Sequence, residues 1–257
     1  MNKRTSPVWT RSMSALLVAV LLCLAVAVPA APAWAADNQV TVKTLASGTK
    51  FATKMYIIDS GKAGPTVMIV GGVHGNEKAG YTAAGKLTDY NIKKGKLIVI
   101  PRANVPAIDA GKRTASGYTD LNRQFPTSKK GSAKGTLAKD IMKVVRDYDV
   151  DWLMDMHEGY GYSKVSDSVG QSVIYYPSGT MASTAKKIVN TLNKDISKSS
   201  QKFSLLRYPA GGSLARAAAL SGANAFILET CTKDKLSLRV NRQLEAAEIM
   251  MKAAGII

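Results

Sequence analysis

The sequence predicts a single α/β domain with a mostly parallel or mixed central sheet flanked by helices. Three observations predict it. Short, unbroken apolar runs such as "PTVMIVGG" (65–72) alternate along the chain with segments of helical spacing such as "GTMASTAKKIVNTLNKDI" (179–196). Continuously apolar strands are the kind that a sheet buries on both faces. No internal repeat is visible, and 46% hydrophobic content over 257 residues suffices for one sizeable core.

The elements follow in order. Lys3, Arg4 and Arg11 flank the start of a charge-free apolar run (14–30), and "AWA" (33–35) supplies small residues where a signal peptidase reads. Residues 1–35 therefore read as a secretory signal peptide cleaved after Ala35. The apolar run is short for a membrane span. The expected mature domain is 36–257, secreted, periplasmic or cell-wall associated, with no stable membrane insertion after cleavage. "QVTVKTL" (39–45) and "KMYIIDS" (54–60) alternate like half-exposed strands, and 65–72 reads as a central strand. Residues 76–90 look helical, and 95–104 form another buried strand. Residues 105–135 are polar, with four glycines and two prolines, a loop that a compact domain seldom keeps without using it. Helical spacing returns at 132–148. Strands are expected at 150–157, 171–177 and 223–230, and helices at 179–196, 213–222 and 238–255.

Charge and cysteine content narrow the function. The formal net charge is +17, and removal of Lys3, Arg4 and Arg11 with no acidic residue leaves +14. Such a surplus favours anionic partners, whether an anionic cell wall, acidic headgroups or small anionic substrates. The lysines are scattered rather than interleaved with aromatics, so no nucleic acid is expected. Cys23 lies in the signal and leaves Cys231 alone. One cysteine makes neither an internal disulfide nor a thiolate zinc site, so Cys231 is read as a packing residue.

The chain holds only two histidines, and both follow apolar strands. His74 lies in "GGVHGNEKAG" (71–80), with Glu77 three positions later at the start of the next helix. Imidazole and carboxylate on one strand-to-helix turn can converge on a single point. A catalytic zinc site usually has three protein ligands, and His157, in "DMHEG", supplies the third. Asp155, two residues earlier on the same strand face, is placed to accept the second N–H of that imidazole. Glu158 points to the opposite face of the strand. In the polar loop, "GKRTASGYTDLNRQFP" (111–126) offers Arg113 and Arg123, forked cations suited to a carboxylate or a developing oxyanion, and Asn122. In "FILETC" a buried strand ends on Glu229, a charge that requires a partner or a task.

Taken in order, "GGVHGNEKAG", "IPRANVPAIDAGKR", "DLNRQFP", "DMHEG" and "FILET" resemble the M14-like zinc metallohydrolases. The resemblance is closest to the succinylglutamate desuccinylase/aspartoacylase branch, related to the zinc carboxypeptidases, and runs from about residue 40 to 250. It implies a zinc-exopeptidase (phosphorylase/hydrolase-like) fold and one zinc ion held by His74, Glu77 and His157. It further implies Glu229 as general base, Arg113 as electrophilic helper, and Asn122 and Arg123 as the grip on a substrate carboxylate. Tyr208, in "LRYPAGGSLARA", matches the position of a substrate-contacting tyrosine in carboxypeptidases. "DMHEG" departs from the "DLHxT" expected of an aspartoacylase. The expected function is a secreted zinc-dependent hydrolase of an amide next to a carboxylate, acting on a small acylamino acid or a peptide, with zinc-bound water activated by Glu229. The alternative is a non-catalytic wall- or polyanion-binding protein on the same scaffold.

Overall fold

The computed structural model describes residue 1 and residues 38–165 and 168–257, so the signal-peptide reading of 1–35 lies outside the described residues. The chain runs β1 (Gln39–Leu45), β2 (Thr53–Asp59), β3 (Thr66–Gly71), α1 (Lys78–Lys86), β4 (Lys96–Ile100), α2 (Val105–Asp109) and α3 (Thr136–Asp147). It continues β5 (Trp152–Gly159), β6 (Ser172–Tyr175), α4 (Gly179–Leu192), β7 (Ser204–Arg207), α5 (Leu214–Leu220), β8 (Asn224–Cys231) and α6 (Leu236–Ala254). All these strands join one sheet in the order β1-β2-β4-β3-β5-β8-β6-β7. Its centre, β4-β3-β5-β8, is parallel, while β1 and β2 on one side and the β6–β8 pairing on the other are antiparallel. The expected mixed α/β sheet is therefore present.

Periodicity explains the layers. Every residue of β3 and β5 is buried, as a strand covered on both faces requires. Val67, Ile69, Met154, Met156, Phe226 and Leu228 face a core shared with α1, α4 and α6. The alternate residues Met68, Val70, Leu153, Ala225 and Ile227 face α3 and α5. On α3, Leu137, Ile141, Val144 and Val145 recur at i, i+4, i+7 and i+8 and form its buried stripe. Among the described residues no helix is long and apolar enough to cross a membrane.

Three elements depart from the sequence reading. Within 105–135, Val105–Asp109 forms the short helix α2, with Pro106 in its first turn, where a missing N–H is harmless. Ser204–Arg207 forms β7, a four-residue edge strand whose pattern of exposure carries little apolar signal. The helix expected from residue 132 begins instead at Thr136, after Gly135 at φ 71°.

Candidate metal centre

The candidate residues meet at the carboxyl ends of the parallel strands. His74 follows β3 by three residues, His157 lies near the end of β5, and Glu229 is its register partner on β8. Open α/β sheets place their ligand sites along such an edge. The turn after β3 has local causes. Gly72 adopts φ +75°, a conformation that side chains resist. Gly75 is required for close approach: a Cβ there would lie 2.0 Å from the Ala107 carbonyl on α2. Glu77 occupies the N-cap of α1 but makes no side-chain cap bond, because its carboxylate is engaged elsewhere.

That engagement is the centre of the site. Glu77 Oε1 lies 2.7 Å from His74 Nδ1, and its Oε2 lies 2.7 Å from His157 Nδ1. The two Nδ1 atoms are 3.1 Å apart. His74, Glu77 and His157 are all buried. The outer nitrogens turn away from this point. His74 Nε2 is 3.0 Å from Asp120 Oδ1, and His157 Nε2 is 3.0 Å from Asp155 Oδ2. The second contact is close but poorly aligned, so both oxygens of the fully buried Asp155 lack a hydrogen-bond partner.

This donor set fits a divalent cation. When each Nε2 proton faces a carboxylate, each Nδ1 presents a lone pair inward, alongside the Glu77 oxygens. Two lone pairs 3.1 Å apart and a carboxylate repel one another unless a proton or a metal ion lies among them. Two imidazoles and one carboxylate, with ligand atoms all within 4.8 Å of one another, are the usual protein set of a catalytic zinc site.

The electrostatics follow from the same contacts. Burial would raise the Glu77 carboxyl, but the two imidazoles prevail and hold it at about 2. Burial opposes protonation of His74 and His157, yet their neighbouring carboxylates raise both. Asp120 is held below the usual carboxylate range, against burial, by His74 and Arg113. Glu229 behaves oppositely. Burial, the largest cause, together with the Glu77 and Asp155 carboxylates, outweighs the two imidazoles and pushes it to about 7. A carboxyl near neutrality suits proton transfer.

A cavity of about 600 Å³ opens over His74, Glu77 and Glu229, and Arg113, Asn122, Arg123 and Tyr208 all line it. Arg113 donates to Asp120 Oδ2 from Nε (3.2 Å) and Nη2 (2.9 Å) and stays half exposed. The Asn122 carbonyl oxygen accepts from the Leu214 N–H at 3.0 Å, and its amide nitrogen lies 3.4 Å from His157 Nε2. Arg123 Nη1 donates to the Asn122 main-chain oxygen at 2.7 Å. Tyr208 holds φ +61°, uncommon for a bulky residue, and stacks edge-on with Tyr176. Glu158, as expected, faces the other side of the sheet. There it pairs with Arg239 of α6 and accepts from the Ala79 N–H at 2.9 Å. Cys231 is buried and unpaired, its thiol raised by burial.

Sequence reasoning passed over Asp120. The residue sits inside the quoted "DLNR" run, and its available signal is local: its Oδ1 caps the Asn122 N–H at 2.8 Å. Nothing in that signal points to His74, 46 residues away.

Comparison with known proteins adds the family. The model of the succinylglutamate desuccinylase/aspartoacylase catalytic domain matches residues 63–254. Over 100 residues the chain is 36% identical to the N-alpha-acetyl-L-2,4-diaminobutyric acid deacetylase of Halomonas elongata, a stretch covering 37% of this chain and 29% of that protein. The tripeptide-bound cell shape determinant Csd4 of Helicobacter pylori superposes with a TM-score of 0.65 at 20% identity, covering 80% of this chain and 56% of that one. A succinylglutamate desuccinylase/aspartoacylase from Rhodobacter sphaeroides gives 0.63 at 19% identity, covering 86% and 66%. At such identities the likeness is one of fold. The chain spans under a third of the deacetylase and just over half of Csd4.

Proposed function

The chain belongs to the succinylglutamate desuccinylase/aspartoacylase catalytic-domain family, and from that premise we propose that it is an exported, zinc-dependent hydrolase of an amide bond lying next to a carboxylate. The observation that carries this reading is the convergence of His74, Glu77 and His157 beside a cavity that also presents Glu229. A divalent ion held by those three residues would supply Lewis acidity towards a carbonyl oxygen and lower the pKa of water. Glu229 takes a proton from the attacking water at its carboxylate and passes it to the leaving amine nitrogen. Arg113, oriented by Asp120, offers its guanidinium to the developing oxyanion, a stabilisation commonly worth about 3 kcal/mol. The Asn122 amide and Arg123 hold the substrate carboxylate, and Tyr208 contacts the substrate from the cavity wall.

The substrate class follows from size and kinship. A cavity of about 600 Å³ admits an acylamino acid or a short peptide. The Halomonas relative is named for an acetylated diamino acid, and a further Csd4 structure is described as a D,L-carboxypeptidase bound to mDAP. The signal-like residues 1–35 and the net charge of +14 that their removal would leave support export and an anionic wall as neighbour. The test is incubation of the purified zinc-loaded protein, and of Glu229→Gln, with acylamino acids, peptides and muropeptides, with products read by mass spectrometry. Hydrolysis by the wild type, absent from a Glu229→Gln protein that still holds zinc, is the expected result. Undiminished hydrolysis by Glu229→Gln removes the assigned base. Tight binding of wall material with no hydrolysis establishes the non-catalytic alternative.

A further inference from the structure

Ser172 begins β6 and is the antiparallel partner of Glu229 on β8. Opposed residues of an antiparallel pair direct their side chains to one face, with Cβ atoms roughly 4.5–5.5 Å apart. That face carries the cavity, because the next same-face pair, Ile174 and Ile227, lines it together with Glu229. Glu229 thus stands between His157 on one neighbouring strand and Ser172 on the other.

Ser172 is 0% exposed, and its hydroxyl has no partner among the described residues. Glu229 is half-buried on β8 and lines the cavity. A buried hydroxyl without a partner is costly, and nearly all such groups in folded proteins are paired. Here a buried hydroxyl without a partner among the described residues stands opposite a carboxyl that opens onto the cavity. Serine has three staggered wells and glutamate several, so rotation about side-chain bonds suffices to join them.

Resting on the reading of Glu229 as the proton acceptor, we infer that Ser172 is a positioning residue: its hydroxyl donates to the ionised Glu229 carboxylate and holds it towards the reacting water. A hydrogen bond to an ionised group is stronger than a neutral one and also restricts the carboxylate's orientation. Ser172 makes no hydrogen bond to His74, Glu77 or His157, so its part is to orient Glu229 and not to hold the ion.

The experiment is a double-mutant cycle of Ser172→Ala and Glu229→Gln in the zinc-loaded protein, with Ser172→Thr as the hydroxyl-retaining control. Expected for Ser172→Ala is a fall in kcat of about tenfold, with KM and zinc content unchanged and a lowered thermal midpoint for the metal-free protein. Ser172→Thr is expected to recover most of the lost kcat. In the Glu229→Gln background, Ser172→Ala is expected to cause no further loss of the residual rate. Wild-type kcat in Ser172→Ala overturns the inference. So does an equal tenfold loss in both backgrounds, and the cycle decides even where Ser172→Thr fails to fold. Absence of hydrolysis by the wild type overturns the function and this inference together. Wild-type hydrolysis with an unaffected Ser172→Ala overturns the inference alone.

Discussion

His157 and Glu158 are consecutive on β5 but lie on opposite faces of the sheet, and each is a buried polar group with a different solution to burial. Glu158 is neutralised within the protein: Arg239 pairs with it, and the Ala79 N–H and Thr230 hydroxyl donate to it. His157 joins a cluster in which acceptors outnumber protein donors, with Glu77, Asp155, His74 and Asp120 close together. The first arrangement is complete without any added ion. The second is balanced only by protons or by a metal. The contrast separates a structural ion pair from a binding site in residues that are neighbours in sequence.

The sharpest way to break the comparison is to remove one inner ligand. Glu77→Ala is expected to abolish stoichiometric zinc binding, measured by elemental analysis, and to reduce amide hydrolysis by about 10³-fold or more. On the other face, Arg239→Met leaves Glu158 buried and unpaired. It is expected to destabilise the fold by about 3–5 kcal/mol in chemical denaturation while zinc stoichiometry persists. Adding Glu158→Gln to Arg239→Met is expected to restore much of that loss. If Arg239→Met instead loses zinc with no change in stability, the two faces are not separate in function.

Acidity sharpens the same contrast. Against burial, carboxylate neighbours raise His74 and His157 above the ordinary histidine value of 6.5. In the metal-free protein their contribution to stability is therefore full below pH 6.5 and is lost as pH rises through the raised values. Zinc requires both imidazoles unprotonated, so its affinity changes in the opposite sense. It is expected to fall with falling pH by up to about tenfold per unit for each protonated imidazole, read by competition with a chelating dye. The smallest effect is expected behind the ligands. Asp120→Asn is expected to weaken zinc binding by about 10–100-fold while the inner ligands remain. Unchanged affinity in that variant makes Asp120 only a cap for the turn at Asn122.

Much of this arrangement was legible in the sequence. The strands at 39–45 and 65–72 and the helix at 179–196 appeared within a few residues of their bounds, because apolar period is a local property of the chain. β7 was not legible, since a four-residue edge strand buries little and so carries almost no pattern. α2 was hidden inside a polar stretch that its proline and glycines made look irregular. Gly75 lies within the quoted run 71–80, but its necessity arises from the α2 backbone packed against it.

By itself, the sequence determined that both histidines and Glu229 lie at or just past the ends of buried strands. Strand period and flanking glycine depend only on residues close in the chain. Tertiary structure alone decided that Asp120 stands behind His74, that Arg239 answers Glu158, and that Ser172 lies opposite Glu229. Those pairings depend on strand order and on helices from distant segments, and electrostatic and hydrogen-bond energies are set by separations of a few ångströms, which linear spacing does not encode.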